Sequence, residues 1–493
     1  MFRRRRCRFA LLVAAVIGLQ MATSGCALGP NYRRPAVAIP ETLRGQTGPA
    51  NPESLADLSW WTVFRDSTLQ TLIVEAIRQN HDLRAAAARV EQARQLVSVA
   101  RADLFPQVSY QGEAARQRAF VAGVPTTTEF NAFLGTFNLA WEIDIWGRIR
   151  RETEAARAQY WAAEAVRRGV LLTLVSDVAQ AYFDLLELDR ELEITRRTVD
   201  TFSNTADLFY RRYQGGIGTL LEVSRARAAL TDAEANLFDI ERQRALKENQ
   251  ISVLLGRPPG EIVLGLPIDV QPTLPSVPIG LPSQLLERRP DLREAEDAVV
   301  AANAEVGAAI ANFFPRLGLT SLYGGQSSEL ENLVKRSGNV WALSGSLAGP
   351  LFQGGRLLAN YEATRAQWEE AAEHYQQTVL QSFREVSDTL VTRTKLRRVR
   401  GEREDTVSAL ETSVTLSLQR YNDGIANYFE VLEAQQQLFP AEIGLARTQR
   451  DELAAVVTLY RALGGGWELD VRDWGGAGDR GIAATDAISP PDH

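Results

Sequence analysis

From Gly147 to Gly256 the chain contains almost nothing that stops a helix. No proline occurs between Pro125 and Pro258, and from Arg148 to Arg212 the only glycine is Gly169, so the hydrogen-bond ladder meets no obligatory break. Leu171, Leu174, Val178, Tyr182, Leu185, Leu188 and Leu192 recur at alternating steps of three and four, a stripe that packs on other helices. The stretch predicts two long helices folded back at Tyr213-Gln214-Gly215-Gly216. About 65 helical residues at ~1.5 Å rise make an element on the order of 100 Å long, against the roughly 8 to 20 residues of a globular helix. That length describes a rod and excludes a compact core for this part of the chain.

The rod is written twice. Asn80-His81-Asp82-Leu83 returns as Arg289-Pro290-Asp291-Leu292, Leu104-Phe105-Pro106 as Phe313-Phe314-Pro315, and Trp146-Gly147-Arg148 as Gly354-Gly355-Arg356. Further on, Arg212-Tyr213-Gln214-Gly215-Gly216-Ile217 returns as Arg420-Tyr421-Asn422-Asp423-Gly424-Ile425, and Leu255-Gly256 as Leu463-Gly464. Asp82 to Asp291 is a shift of 209 and Arg148 to Arg356 one of 208, so element lengths are nearly equal in the two copies. A solenoid repeat is only about 20 to 50 residues, so this is a duplicated module.

Met1 to Cys26 has the grammar of a secretory signal: arginines at 3 to 6 and 8, an apolar run from Phe9 to Leu19, then Ala22-Thr23-Ser24-Gly25 before Cys26. The apolar run falls short of the ~20 residues that span a bilayer as a helix. Small residues ending in Gly-Cys resemble a bacterial lipobox, which implies acylation of Cys26 by diacylglycerol and palmitate as the new N-terminus. Ala27 is not the aspartate that retains lipoproteins at the inner membrane, which points to the outer one. Removing five arginines takes the formal charge from −7 to −12 and, with Cys7 gone, leaves one cysteine and no internal disulfide. An acidic chain without a basic run argues against nucleic acid.

The boundaries read as a signal at 1–25, an extended leader at 26–66, a first repeat at 67–256, a proline-rich linker at 257–282, a second repeat at 283–467 and a disordered tail at 468–493. Within the first repeat, Ser67 to Asp103 reads as one helix. Val108–Ala114 and Phe137–Ile145 alternate apolar with other residues, joined by a loop around Val121–Asn131. Leu317–Tyr323 and Trp341–Leu351 repeat the pattern around a loop from Gln326 to Asn339. Such strands of about nine to eleven residues span a bilayer when tilted. Trp141, Trp146, Tyr323 and Trp341 sit towards strand ends, as in the aromatic girdles of membrane strands. Four strands cannot close, because about eight make the smallest barrel and an open edge in lipid leaves unpaired backbone groups. Three copies would supply roughly twelve strands, an even number within the known range. The fold class expected is therefore α+β: a homotrimeric twelve-stranded barrel, four strands per chain, continuous with a helical barrel.

Gly29-Pro30-Asn31-Tyr32-Arg33-Arg34-Pro35, Trp60-Trp61-Thr62-Val63-Phe64-Arg65-Asp66, Ala88-Arg89-Val90, Leu104-Phe105-Pro106, Trp146-Gly147-Arg148, Leu286-Glu287-Arg288-Arg289-Pro290-Asp291-Leu292, Arg420-Tyr421 with Gly424, and Leu463-Gly464-Gly465-Gly466-Trp467 resemble the motifs of outer-membrane factors. The closest branch is the OprM-like and NodT-type efflux lipoproteins, with TolC more distant. The resemblance runs from Gly29 to Trp467 in the same order. It implies a lipid-anchored outer-membrane duct reaching into the periplasm and docked by a periplasmic adaptor and an inner-membrane pump of the RND type.

No catalytic constellation appears. The histidines are His81, His374 and His493, without metal-ligand spacing, and no phosphate-cradling loop or nucleophile motif is present; no enzyme and no cofactor beyond the lipid are expected. Glu430 and Glu433 lie three apart, on one helix face. By the resemblance, Glu433 falls on the acidic constriction of the periplasmic aperture, Phe429 on an adjoining apolar ring and Glu430 on an acid of the TolC branch. An acidic ring in a narrow mouth favours cations; the plain alternative is carboxylates that favour the positive end of a helix. Gln436 stands where an arginine often pairs with that acid. Arg225 matches Glu433 in the first copy, which makes a bridge between neighbouring helices an expectation. The turns at Tyr213 and Gly215 and at Tyr421 and Gly424 resemble adaptor-docking tips, and are equally helical hairpins that need a left-handed glycine. Pro440 should kink its helix. A periplasmic coiled-coil adaptor or scaffold would share the rods but not the paired spanning strands.

Overall fold

The computed structural model describes residues 27–46, 54–120, 127–271 and 280–466. The signal, Cys26, part of the proline-rich linker and the tail lie outside the described residues. Among the described residues the main helices are α1 (Ser67–Gln79), α2 (His81–Ala102), α3 (Arg148–Gln214), α4 (Leu220–Leu254), α5 (Pro290–Ala311), α6 (Arg356–Asn422) and α7 (Tyr428–Ala462). The strands are β1 (Gln107–Phe120), β2 (Thr127–Ile143), β3 (Arg316–Ser327) and β4 (Asn339–Ala348). The duplication is explicit in these lengths: α3 and α6 have 67 residues each, α4 and α7 have 35 each, and α2 and α5 have 22 each. The chain divides into a sheet-bearing unit (1–36, 88–164, 294–377) and a helical unit (37–87, 165–293, 378–493).

In the helical unit the stripe read from the sequence is the core: Leu171, Leu174, Val178, Tyr182, Leu185, Leu188 and Leu192 are all buried, worth roughly 1.5 to 3 kcal/mol for each fully buried side chain. One window of α3 is apolar enough to cross a bilayer, but 67% of it is buried inside the chain, as in a core helix. Phe64 packs edge-on against Phe183 and Tyr460. Asp66 caps α1 by accepting from the N–H groups of Thr68 and Leu69. It also accepts from Tyr182 Oη at 2.9 Å, Gln271 Nε2 at 2.9 Å and Leu266 N at 3.3 Å, which ties the linker to the helices. Burial alone would raise its pKa, but hydrogen bonds led by those of Gln271 and Tyr182 outweigh it and hold Asp66 below the usual carboxylate range.

The repeats close with the same geometry. Gly256 and Gly464 end α4 and α7 with φ of 75° and 73°. The N–H groups of Gly256 and Arg257 return to Val253 O and Ser252 O, and those of Gly464 and Gly465 to Arg461 O and Tyr460 O, the Schellman pattern. Each glycine lies against the end of a preceding helix, where an added Cβ would stand 2.6 Å from Gln79 O or 2.8 Å from Arg288 O. Beside them Asn80 Nδ2 donates to Leu254 O and Arg289 Nη1 to Ala462 O, both at 3.0 Å. One position thus serves both repeats with different chemistry.

Several boundaries differ from the sequence reading. Ser67 to Asp103 is two helices, broken at Asn80, whose backbone leaves the helical region (φ −59°, ψ 129°) and whose Oδ1 accepts from Leu83 N; an asparagine competes with the helix ladder by such local bonds. Short helices at Leu55–Asp57 and Trp60–Val63 interrupt the leader. The first hairpin is longer than its alternation suggests, with strands of 14 and 17 residues that take in part of the expected loop. The polar residues there, such as Arg116 opposite Asn131, obscure the alternation. Pro440, by contrast, lies inside α7, as the sequence reading has it.

An ionic cluster links α3 to α4 and α7. Asp184 pairs with Arg450 at 2.9 Å and Lys247 at 3.1 Å. One turn on, the buried Glu187 and Glu191 share Arg447, at 3.6 and 2.7 Å. Burial, and then the neighbouring Glu191, push the Glu187 carboxyl up from 4.5 to about 8. Folded Glu187 therefore holds a proton that the unfolded chain has lost, so its penalty is absent below pH 4.5 and grows until about pH 8. Glu187→Gln should raise the thermal midpoint at pH 8.5 by about 2–4 °C and leave it unchanged near pH 4.5. Equal gains at both pH values would show that the carboxyl's charge is not the cause.

Candidate functional site

The residues singled out from the sequence fall in two regions, the helix turns of the helical unit and the sheet. At the turns, Gly216 and Gly424 carry φ of 74° and 72°. Ile217 N–H reaches Arg212 O and Gly216 N–H reaches Tyr213 O; Ile425 and Gly424 repeat this with Arg420 O and Tyr421 O. The left-handed residue of the first turn is thus Gly216, not Gly215. The returning helices are capped differently. Thr219 and Glu222 form a reciprocal capping box on α4, whereas on α7 the Asn427 side chain accepts from Phe429 N.

The turns are held by a small core of Phe202, Phe209, Ala226, Ala229, Ala233, Tyr428, Val431 and Leu432. Tyr428 is its centre, edge-on to Phe209 at 5.0 Å and to Tyr421 at 4.9 Å, with its hydroxyl 2.7 Å from Thr205 Oγ1. Burial raises its pKa. Arg212 Nη1 donates to Tyr421 Oη at 2.6 Å, tying the end of α3 to the end of α6. Thr205, Arg212 and Tyr428 escape the sequence reading. Thr219-x-x-Glu222 is a readable capping signature, but a contact between residues 209 positions apart has no local signal.

The residues singled out from the sequence are on one short arc of α7. Phe429, Glu430 and Glu433 are all exposed in the single chain. Glu430 pairs with Arg420 at 3.3 Å and sits in the first turn of α7, where its charge favours the helix N-terminus. Arg225 does not bridge to Glu433 within the chain: its guanidinium lies over the Phe429 ring, 5.0 Å from the centroid, a cation–π contact. Among the described residues no ion pair is made by Glu433. Tyr213, Gly215 and Gly424 are exposed, and Tyr421 is half-buried by its contacts to Arg212 and Tyr428. His81 and His374 are exposed helix residues, and no group of three metal-ligating side chains occurs among the described residues.

The sheet is an antiparallel meander in the order β1-β2-β3-β4, with β2 and β3 joining the two repeats. Its register sorts the faces. One face carries Val108, Tyr110, Phe133, Phe137, Leu139, Trp141, Leu317, Leu319, Tyr323, Trp341, Leu343 and Leu347. Tyr110, Phe137, Tyr323 and Trp341 pair in turn across all four strands, an aromatic row at one level. The other face carries Ser109, Gln111, Glu113, Thr136, Asn138, Thr320, Ser344 and Ser346, with Leu134, Leu322 and Ala342 among them. At the end of the sheet next to α3, Arg148 pairs with Glu142 at 3.0 Å and Glu152 at 2.8 Å, beside a recess of about 430 Å³. Trp146 Nε1 donates to Pro315 O at 2.8 Å, fixing the exit of β2 to the entry of β3.

An apolar face with an aromatic row, backed by a mostly polar face, is the wall of a membrane β-barrel around an aqueous lumen. A protomer that joins such a wall to helices of 67 residues belongs to the class of outer-membrane channels. A family model described as "Outer membrane efflux protein" matches residues 72–257 and again 281–465. The toluene efflux pump outer membrane protein TtgC of Pseudomonas putida is 35% identical over 455 residues, 90% of this chain and 93% of that protein. The cation efflux system protein CusC of Escherichia coli is 32% identical over 450 residues, 90% of this chain and 97% of that one. Among solved structures, the outer-membrane channel OprN superposes with a TM-score of 0.83 at 28% identity, covering 90% of this chain and 100% of that one. The open outer-membrane channel MtrE of Neisseria gonorrhoeae gives 0.82 at 30%, covering 90% and 100%. The chain belongs to the outer membrane efflux protein family, and it is an outer-membrane exit duct of an efflux system.

Proposed function

We propose that three copies of this chain close a twelve-stranded barrel and that the duct so formed receives cargo from a periplasmic adaptor and an inner-membrane pump of the RND type. The observation that carries the reading is the four-stranded sheet, apolar on one face and open at both edges, in a chain of this family. Unpaired edges are not tolerated in hydrocarbon, so the sheet must be completed by other strands. The relatives' names, an efflux pump outer membrane protein and a cation efflux system protein, support a separate pump. A periplasmic scaffold would have no use for the spanning strands.

In this reading Cys26 carries diacylglycerol and palmitate, and an intact mass showing an unmodified Cys26 would rule that out. The turns at Tyr213, Gly215, Tyr421 and Gly424 face the adaptor. Glu433 forms the acidic ring of the aperture, with Phe429 as its apolar neighbour and Glu430 engaged by Arg420. The polar face of the sheet keeps the path wet, and the aperture selects by charge.

The test is conductance in planar bilayers together with the mass of the complex in mild detergent. A trimer with small, cation-selective steps is expected, and Glu433→Ala should lower the cation-to-anion permeability ratio on the order of threefold, since one carboxylate per copy leaves a narrow mouth. An unchanged ratio removes Glu433 from the aperture, and a monomeric mass removes the three-copy duct.

A further inference from the structure

The strand registers leave a hollow in the mostly polar face of the sheet. Ala140 stands opposite Thr320, Glu142 opposite Gly318, Gly318 opposite Ser346, and Arg316 opposite Ala348. By the two-residue alternation of strands all of these share the face of Asn138 and Ser344. Where Ala140, Gly318, Ser346 and Ala348 adjoin, the side chains are small, and the recess of about 430 Å³ lies over them. That volume is within the roughly 300–1,000 Å³ of small-molecule sites. Its whole lining belongs to the sheet-bearing unit. Since this face of the sheet bounds the aqueous lumen, the recess opens on the path of an outgoing solute.

The charges around the recess are not equally engaged. Both oxygens of Glu142 are taken by Arg148, which reaches them through Nε at 3.1 Å and Nη2 at 3.0 Å and spends Nη1 on Glu152. Arg316 is held loosely. Its Nη2 donates to Asn312 Oδ1 at 2.9 Å, but its nearest carboxylate oxygen, on Glu142, is 3.9 Å away, beyond hydrogen-bond range. Its side chain is 55% exposed, so a guanidinium with donors to spare faces the hollow. The hydroxyl of Thr320 and the exposed ring of Phe105 line the same recess.

We infer that the recess is a resting site for organic anions in transit, with Arg316 holding a carboxylate or sulfonate and the small-residue floor taking the apolar ring body beside Phe105. A planar guanidinium fork matches the paired oxygens of such a group, and Thr320 supplies a further donor. In an acidic chain an anionic solute is otherwise repelled, and one cation on the wall gives it a foothold. The site is open and its anchor half-solvated, so a bound solute also leaves, as conduction requires. Asp103 lines the recess from the turn between α2 and β1, outside the sheet; a cationic solute would use it in place of Arg316. The inference stands on the duct itself and does not depend on the adaptor or pump.

The test is equilibrium binding of naphthalenesulfonate to the full protein in phosphatidylcholine nanodiscs at low salt, with naphthyltrimethylammonium as a cation of the same ring body. Native protein should bind the sulfonate saturably and the ammonium at least about tenfold more weakly, a comparison that needs no variant. Arg316→Gln should weaken the sulfonate about tenfold, the loss of one charge-assisted hydrogen bond. Ala348→Phe, which fills the hollow, should abolish binding, whereas Ser344→Phe, on the same face but outside the lining, should leave it unchanged. Equal or tighter binding of the ammonium overturns the anion assignment. Undiminished binding in Arg316→Gln removes the anchor, and equal losses in Ala348→Phe and Ser344→Phe remove the recess. No saturable binding to the native protein overturns the site while leaving the duct standing.

Discussion

Gly464→Ala is expected to remove most of the assembled protein from the outer membrane, and Gly256→Ala nearly as much. Each residue is left-handed, with φ of 73° and 75°, which costs a side-chain-bearing residue roughly 1–2 kcal/mol. Each also stands so close to the preceding helix end that a Cβ would meet Arg288 O at 2.8 Å or Gln79 O at 2.6 Å. A carbonyl at that distance has to retreat, and it takes with it the neighbouring bond from Arg289 to Ala462 O or from Asn80 to Leu254 O. Overpacking of this kind adds about 1–3 kcal/mol. Gly216→Ala is the control, since Gly216 has the same conformation (φ 74°) and nothing within 4 Å of the Cβ position; it should lose only the conformational part. The midpoint of heat dissociation of the purified complex measures all three, and equal losses at Gly216 and Gly464 would refute the close-approach argument.

Arg289→Ala should be the next most damaging change. The guanidinium is buried. It donates Nη1 to Ala462 O at 3.0 Å, Nε to Asp291 at 3.0 Å and Nη2 to Glu385 at 2.8 Å. Burial alone would lower its pKa, but hydrogen bonding to Asp291 and the charges of Asp291 and Glu385 more than reverse this, so the group stays cationic. Its removal strands a helix-terminal carbonyl and leaves two carboxylates facing each other. Both acids keep contact with solvent, so the loss is set at about 2–3 kcal/mol, below that for a fully buried pair. Arg289→Lys should recover little, because an ammonium cannot reach three acceptors from a planar fork. Asn80→Ala, the same position in the first repeat, loses a neutral bond to Leu254 O and a cap on Leu83, about 1–2 kcal/mol. If Arg289→Lys matched the native midpoint, the fork geometry would be irrelevant.

What can be read before folding follows from the range of each interaction. The long helices are legible because nothing within Arg148 to Gln214 interrupts them and the stripe on α3 is local. The duplication is legible because shared turns, Tyr213 to Ile217 and Tyr421 to Ile425, repeat at constant distance. The break at Asn80 is not: its local bond from Leu83 N is one that any asparagine in a helix could make, and the second bond, to Leu254 O, comes from a residue far along the chain. Arg225 is expected from the repeat to meet Glu433, yet it lies over Phe429. Repeat equivalence marks corresponding positions; it does not say which of two nearby partners the guanidinium prefers.

The sequence by itself determined the periodic features: the long helices of each repeat, the presence of the four strands, the places of the helix turns and the two-fold internal repeat. Each is set by sterics and hydrophobic spacing within a few residues, and such rules need no knowledge of the rest of the fold. Only the tertiary structure decided which groups meet across long separations. Arg212 finds Tyr421, Arg289 finds Ala462 O, and the three strand registers together align four aromatics into one row. Those pairings depend on hydrogen-bond geometry and strand register, which become defined only when distant segments are brought side by side.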